Sequence, residues 1–393
     1  MDLRPRPRHG MRVTAVGPGA TPGRNRQRTR GRLIVLGCFA AALWCARASH
    51  ASEPQPPPRN VILMIGDGMG FAQVTLGRRS LPAGTTALAF DSFPVSGVVR
   101  VDAADGAITD SAAAATAMAT GVKTLNGRIG VRPDGLPVRT ILEDAERLGR
   151  ATGLITTTAI THATPASFAA HVKDRDDRQT IASQMLDGGI DLLVGGGLDD
   201  FQPQRRADKR DLLREARDTG YTVATDAASW RASSRLPLLG LLAPDGLTTR
   251  APEPALAELV ARSLDLLAVD PDGFFLMVEG GQIDWRCHDN DAAGASEEML
   301  EFDAAIARAS AFARSRGDTL VVVTADHETG GLSLVPGSAA GGAPFQARWG
   351  TQDHSAADVP LFATGPGSAR FAGFLDNAEI ARRIADLWGL PAR

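Results

Sequence analysis

The chain has 393 residues, of which 44% are hydrophobic and 22% charged, a balance typical of globular proteins. Its formal net charge is −3 at pH 7, so it lacks the excess of positive charge that would favour nucleic acid or an anionic membrane surface as a partner. Aromatic residues make up only 5%, whereas Gly and Ala are plentiful, which favours tight βα turns over a β-sandwich.

The beginning of the chain has the pattern of an export signal. Arg-rich sequence from Arg4 to Arg32 precedes an apolar stretch from Leu33 to Ala46, and small residues then offer cleavage after Ala48 or Ala51. The apolar stretch is about 14 residues long, too short for a comfortable transmembrane span. We therefore predict a periplasmic or secreted protein with no stable membrane anchor.

These boundaries divide the chain into a signal peptide at 1–51 and one domain of the mature chain at 52–393. The basic region is long, so Met11 is an alternative start. A helix buried in the fold is the alternative to a signal, but the Pro-rich segment at 53–58 is more typical of a linker. Beyond residue 51 the only cysteine is Cys287, which excludes an intramolecular disulfide in the mature chain.

From Asn60 onward, short β-rich runs alternate with helical patterns, which predicts an α/β fold: a three-layer αβα sandwich around a mostly parallel central sheet. The predicted strands are Val61–Ile65, Gly153–Thr157, Asp191–Val194, Phe274–Val278, Thr319–Thr324 and Val359–Ala363. The predicted helices are Val138–Gly149, Arg178–Leu186, Lys209–Thr219, Pro254–Ala268, Ser296–Arg316 and Asn377–Trp388. Gly195–Pro252 is polar and irregular, and we interpret it as a surface insertion.

The first predicted strand runs into Asp67, which is flanked by glycines in the segment GDGMG. A carboxylate at the end of a strand in such a sheet lies where ligands usually bind. An ordinary turn residue is the alternative.

Ser111 precedes Ala112–Ala119, a run of strong helix formers. A hydroxyl at the start of a helix lies where backbone N–H groups favour an anion, so Ser111 is a candidate nucleophile for phosphate. The alternative is an ordinary helix N-cap.

Two further candidates follow the second predicted strand. His162 follows this strand, and Arg175 lies in a charged segment at 173–178 where its planar guanidinium could bind phosphate. Arg178 is a rival for that role, and a solvated run of charges is the alternative for both arginines.

The remaining candidates lie at the ends of the last three predicted strands. Carboxylates and imidazoles in this arrangement are suited to zinc, and Asp284 and His288 are spaced to share one face of a helix. These residues are Glu279, Asp284, His288, Asp326, His327 and His354.

Together these segments resemble the alkaline phosphatase family. The resemblance rests on GDGMG, the run Asp110-Ser111-Ala112-Ala113, the run Thr120-Gly121-Val122-Lys123-Thr124, Val278-Glu279-Gly280, and Thr324-Ala325-Asp326-His327. The motifs occur in the family's order from about residue 60 to 365 and so cover most of the predicted domain.

The resemblance implies hydrolysis of phosphate monoesters through a phosphoserine on Ser111, at a site with two Zn²⁺ and one Mg²⁺. Arg175 would bind the phosphate, with Asp110 and Trp285 beside it. The implied ligands are Asp284, His288 and His354 for the first zinc; Asp67, Asp326 and His327 for the second; and Asp67, Thr164 and Glu279 for magnesium.

Two positions depart from the best-known bacterial member, which has Asp at the position of His162 and Lys at that of Trp285. The His/Trp pair resembles cold-active marine members of the family. His162 could reach the third metal and bias that site towards zinc. The pair also predicts weaker phosphate retention.

The segment between Glu328 and His354 is short, so the large insertion that often builds the family's dimer interface is expected to be absent. A homodimer and a monomer therefore both stay open. Two other functions do as well: a phosphodiesterase of the same superfamily, and a zinc- or phosphate-binding protein without catalysis.

Overall fold

In this computed structural model, residues 56–337 and 345–392 are described. The predicted signal peptide, with its cleavage sites and alternative start, lies outside the described residues. No helix among the described residues has the length and apolar character needed to cross a bilayer.

A ten-stranded sheet organises the described part of the chain. Two short two-stranded ladders accompany it. The strands are β1 Asn60–Gly66, β2 Val95–Arg100, β3 Ala151–Ala159, β4 Leu192–Gly196, β5 Thr222–Ala224, β6 Leu238–Leu241, β7 Phe274–Gly280, β8 Thr319–Thr324, β9 Glu328–Thr329, β10 Ser333–Pro336, β11 Phe345–Arg348, β12 His354–Ser355, β13 Val359–Thr364 and β14 Gly373–Asp376.

Helices join these strands as in other α/β folds. The helices are α1 Phe71–Arg79, α2 Ser111–Thr120, α3 Ile141–Arg147, α4 Ala163–Ala169, α5 Arg178–Asp187, α6 Leu212–Asp218, α7 Ala227–Ala232, α8 Leu256–Leu267, α9 Gln282–His288, α10 Ala292–Arg316 and α11 Glu379–Leu387. They pack in two groups: α1, α8 and α9 contact α10, whereas α3, α4 and α11 contact α2.

The strand order is β14-β2-β13-β8-β1-β7-β3-β4-β6-β5, and all pairs are parallel except those of β13 with β8 and β2. Every residue of β1, β7 and β8 is buried, as expected for central parallel strands covered by helices on both faces. The α/β class and the mostly parallel sheet are therefore confirmed.

Capping residues explain where helix boundaries differ from the prediction. Helix α3 begins three residues later than expected because Thr140 and Glu143 form a capping box. Helix α10 begins earlier than expected because the Asp291 side chain accepts a hydrogen bond from the Gly294 N–H.

The interpretation of Gly195–Pro252 as a surface insertion is wrong. The segment contributes β5 and β6, and β6 pairs in parallel with both β4 and β5. All of Leu238–Leu241 is buried. These strands are only three and four residues long, so their alternation was too short to stand out among the polar residues around them.

Candidate active site

Several of the candidate carboxylates meet at the carboxyl ends of neighbouring parallel strands. Ile65 near the end of β1 lies opposite Glu279 of β7 on one side and Thr324 of β8 on the other. Asp67 directly follows β1, Asp326 comes two residues after the end of β8, and both are fully buried. The parallel register therefore brings together carboxylates that are far apart in the sequence.

Three groups of side chains have ligand atoms close enough to hold a metal ion, with all atoms of a group within 4.8 Å of one another. They are Asp67 with Asp326 and His327; Asp67 with His162 and Glu279; and Asp284 with His327 and His354. Asp67 belongs to two of the groups, and so does His327.

Several buried polar atoms of this cluster have no hydrogen-bond partner among the described residues. They are both carboxylate oxygens of Asp67, Asp326 Oδ2, Glu279 Oε1, Thr164 Oγ1 and His162 Nδ1. Leaving such groups unpaired is costly, whereas hard and borderline cations bind oxygen and imidazole nitrogen. The donor set therefore fits bound metal ions.

The electrostatics of the cluster favour the same conclusion. Burial, together with the charges of Asp326 and Asp284, raises the pKa of Asp67 well above its usual value. Burial and the charge of Asp284 likewise raise the pKa of Asp326 to about 7, and burial lowers that of His327. A cation bound between these groups would favour carboxylates and neutral imidazoles, which are the ligand forms that metals require.

His288 and His354 both face Asp284. Their Nε2 atoms lie 3.2 Å and 3.7 Å from its carboxylate oxygens. Each Nδ1 atom points to a backbone carbonyl, of Gln352 and Thr109 respectively. A proton on Nδ1 leaves Nε2 free to bind a metal, so these contacts favour the tautomer of a ligand.

Ser111 is the first residue of α2, and its side chain is buried against the cluster. Its Oγ lies 3.2 Å from Nε2 of His327, which in turn lies 3.2 Å from Asp326 and 3.4 Å from Asp67. The alternative of an ordinary N-cap is wrong, because Asp110 fills that role by accepting a hydrogen bond from Ala113 N–H at 2.9 Å. The serine hydroxyl is thereby left to face the cluster.

Arg175 is held at the same helix start. Its guanidinium donates to Asp110 Oδ2 at 3.0 Å and lies 3.4 Å from Nε2 of His162. The rival Arg178 instead pairs with Asp245 at 3.0 Å. The geometry therefore places Arg175, and not Arg178, beside Ser111.

His162 and Trp285 lie next to each other, with ring centroids 6.4 Å apart in an edge-to-face arrangement. His162 Nδ1 is 3.9 Å from Glu279 Oε1, and Thr164 follows on α4. Gly246 allows the loop after β6 to approach Trp285, because a Cβ added at this glycine would lie 2.7 Å from the indole ring. The supposed insertion thus supports one wall of the site.

A surface pocket of about 370 Å³ opens onto this cluster. It is lined by Ile108, Thr109, Asp110, Asn126, His288, Asp353 and His354. Small molecules can therefore reach the two histidines that face Asp284.

Sequence reasoning missed the polar residues that support this cluster. Thr156 and Thr158 of β3 both donate to Glu279 Oε2, at 3.1 Å for Thr158. Glu328 accepts hydrogen bonds behind the cluster, and Gln73 of α1 is among its donors. The run of threonines at 156–158 in a buried strand was an available signal; Gln73 offered none.

Comparisons with known proteins agree with these observations. A sequence model of the family described as Alkaline phosphatase matches residues 58–349. Alkaline phosphatase 3 of Bacillus subtilis is 36% identical over 83% of this chain and 88% of its own length. Alkaline phosphatase of Escherichia coli K12 is 31% identical over 87% of this chain and 88% of its own.

Solved structures extend the likeness to the fold. Alkaline phosphatase from the Antarctic bacterium TAB5 superimposes with a TM-score of 0.79 at 36% identity, covering 86% of this chain and 99% of its own. The cold-active enzyme of Shewanella sp. has a TM-score of 0.76 at 31% identity, covering 84% and 100%. The chain therefore belongs to the alkaline phosphatase family, and it is a metal-dependent hydrolase of phosphate monoesters.

Proposed function

We propose that Ser111 is the nucleophile of this reaction and forms a phosphoserine intermediate. The observation that carries the proposal is the position of its Oγ, 3.2 Å from Nε2 of His327 inside a cluster of buried carboxylates. The attacking oxygen would form a bond to phosphorus while the bond to the alcohol oxygen breaks. Water would then cleave the phosphoserine and release inorganic phosphate.

The metal ligands divide into three sets in this proposal. Asp284, His288 and His354 would hold one Zn²⁺, and Asp67, Asp326 and His327 a second. Mixed carboxylate and imidazole donors support zinc at these two sites. When bound, the two cations would act as Lewis acids that favour the alkoxide of Ser111 and stabilise the leaving oxygen.

The third set has more oxygen donors and would hold Mg²⁺ between Asp67, Glu279 and Thr164. The Nδ1 atom of His162 also belongs to this group and supports zinc as an alternative occupant. A TAB5 variant in which a histidine is replaced by aspartate has Mg bound in the site called M3. We infer that the residue at position 162 sets the metal preference of the third site in this chain.

Arg175 would bind two phosphate oxygens with its guanidinium, and Asp110 would orient it. Asp110 has two roles, because it also caps α2 and so fixes the backbone N–H groups at Ser111. His162, which lies 3.4 Å from the Arg175 guanidinium, and Trp285 would line the site without adding the positive charge of a lysine. We therefore expect weak retention of phosphate and fast product release.

We also propose that residues 1–51 are a signal peptide, that 52–393 form the catalytic domain, and that the mature protein is periplasmic or secreted. The basic, apolar and small-residue order of the segment supports export. Its state of assembly would be a monomer or a homodimer.

The experiment that tests the proposed function replaces Ser111 with alanine. We expect turnover of p-nitrophenyl phosphate to fall by at least about 10³-fold, because alanine lacks the hydroxyl that is proposed to attack phosphorus. Zinc content per chain should stay near that of the wild type. Unchanged turnover would exclude Ser111 as nucleophile.

Two further assays separate the alternatives. A wild-type preference for a bis(p-nitrophenyl) ester over the monoester would favour a phosphodiesterase. Zinc binding without turnover of either ester would favour a binding protein.

A further inference from the structure

A buried carboxylate outside the proposed ligand set lies directly behind the metal cluster. Glu328 follows His327 in the sequence and is only 5% exposed. Its Oε1 accepts hydrogen bonds from Gln73 Nε2 at 2.8 Å and Leu332 N–H at 3.1 Å. Its Oε2 accepts from Gly331 N–H at 3.2 Å and from the hydroxyl of Ser355.

The partners of Glu328 belong to segments that carry proposed ligands. Ser355 is adjacent to His354, and Gln73 lies in α1, which directly follows the loop of Asp67. The carboxylate therefore connects three strand-end segments that meet at the cluster.

The amide of Gln73 extends this connection. It also donates to the carbonyl of Thr329 at 2.8 Å and lies 3.8 Å from the sulfur of Cys287, the neighbour of His288. Thr329 in turn donates to Asp284. The hydrogen bonds thus reach the segments on both sides of the site.

The backbone alone holds His354 weakly. Strands β9 and β12 pair over only two residues, His354 with Thr329 and Ser355 with Glu328. A two-stranded ladder of this length has little stability of its own. The bond from Ser355 to a charged acceptor is stronger than a neutral one and links the two strands through side chains.

We propose that Glu328 is a positioning residue that fixes His354 and His327 in the geometry required to bind zinc. The proposal rests on the proposed function of these histidines as ligands. All four donors to Glu328 are uncharged, so among the described residues this carboxyl group orients segments of the site and forms no ion pair. Partners behind metal ligands commonly change metal affinity about 10- to 100-fold when they are removed.

The test measures zinc affinity by competition with a chromophoric chelator for three proteins: wild type, Glu328→Ala and Glu301→Ala. Glu301 is the matched control, because its carboxylate also accepts a backbone N–H, from Leu256 at 2.6 Å, but joins α8 to α10. We expect Glu328→Ala to bind zinc at least about tenfold more weakly. Glu301→Ala should bind zinc as the wild type does.

Added zinc provides a second readout. Excess zinc should restore much of the monoester turnover of Glu328→Ala, because the ligands remain present. The proposal would be overturned if Glu328→Ala binds zinc within threefold of the affinity of Glu301→Ala and added zinc does not restore its turnover.

Ser355→Ala decides the question if Glu328→Ala does not fold. It removes one bond from the carboxylate and should weaken zinc binding by more than about threefold. A smaller change would overturn the proposal. A wild-type chain that binds no zinc would instead overturn the proposed metal site itself, so the two failures are distinguishable.

Discussion

At the scale of single residues, the metal cluster combines hard carboxylate oxygens with softer imidazole nitrogens, and some of these ligands are shared between groups. Asp67 belongs to two candidate metal groups, one completed by Asp326 and His327 and the other by Glu279 and His162. In the second group His162 contributes an imidazole nitrogen, whereas a carboxylate at this position would leave only oxygen ligands. The identity of one side chain should therefore change which metal binds there.

Replacing His162 with aspartate tests this expectation. The change supplies a hard oxygen ligand beside Glu279 and Asp67, so Mg²⁺ should bind more tightly, by about tenfold or more. The measurement is the Mg²⁺ concentration that gives half-maximal turnover with zinc held constant. His162→Asn is the control, because it removes the imidazole without adding charge. Equal Mg²⁺ requirements in both variants would contradict the prediction.

At the scale of elements, tight contacts between loops and helices shape the walls of the site. The loop after β6 approaches α9 at Gly246, where an added Cβ would lie 2.7 Å from the ring of Trp285. Such a contact is too short for any side chain without a shift of the ring or the loop.

We therefore expect Gly246→Ala to lower the free energy of unfolding by about 1–3 kcal/mol through overpacking. Denaturant unfolding measures the change. The control is the double variant with Trp285→Phe, whose smaller ring should relieve part of the clash. If the stability losses of Gly246→Ala and Trp285→Phe simply add in the double variant, the expected contact is contradicted.

The element scale also explains what the sequence could predict. The central strands were predictable because their apolar runs are continuous. Most of α10 was predictable from its helical pattern, but its start was not, because the cap at Asp291 went unrecognised. The edge of the sheet was not, because β5 and β6 are short and their burial depends on tertiary pairing. Strand β14 is exposed at Phe374, so its sequence lacks a core pattern.

In the candidate site, the metal-ligand candidates were predictable from the sequence, but the residues that support them were not. Residues at strand ends such as Asp67 and His327 carry a chemical signature that a parallel sheet brings together. Gln73 carries no such signature, because an amide side chain in an amphipathic helix is usually exposed. Its burial depends on the approach of Glu328, which only the folded chain brings about.

At the scale of the whole molecule, titrating groups away from the site make stability depend on pH. Burial is the main cause that raises the pKa of Glu146 from 4.5 to about 7. Thr152 donates to this carboxyl at 3.2 Å. Because the folded pKa lies above the unfolded one, the native state gains stability from this group below about pH 4.5 and loses it as pH rises through 7.

Glu146→Gln should remove this loss. The variant should therefore become more stable than the wild type as pH rises from 5 to 8, by about 1 kcal/mol, since partial exposure reduces the effect. Thermal unfolding of both proteins across this range measures the difference, in which contributions from the metal cluster cancel. A difference in melting temperature that does not grow with pH would contradict the prediction.

The ligand set is also distributed widely along the chain, from Asp67 after β1 to His354 before β13. Contacts of such high sequence separation form late in folding, because the entropy of closing long loops must be overcome first. A partly folded chain would thus hold isolated donors and no complete coordination sphere. Metal binding by the complete ligand set should therefore require the fully folded molecule.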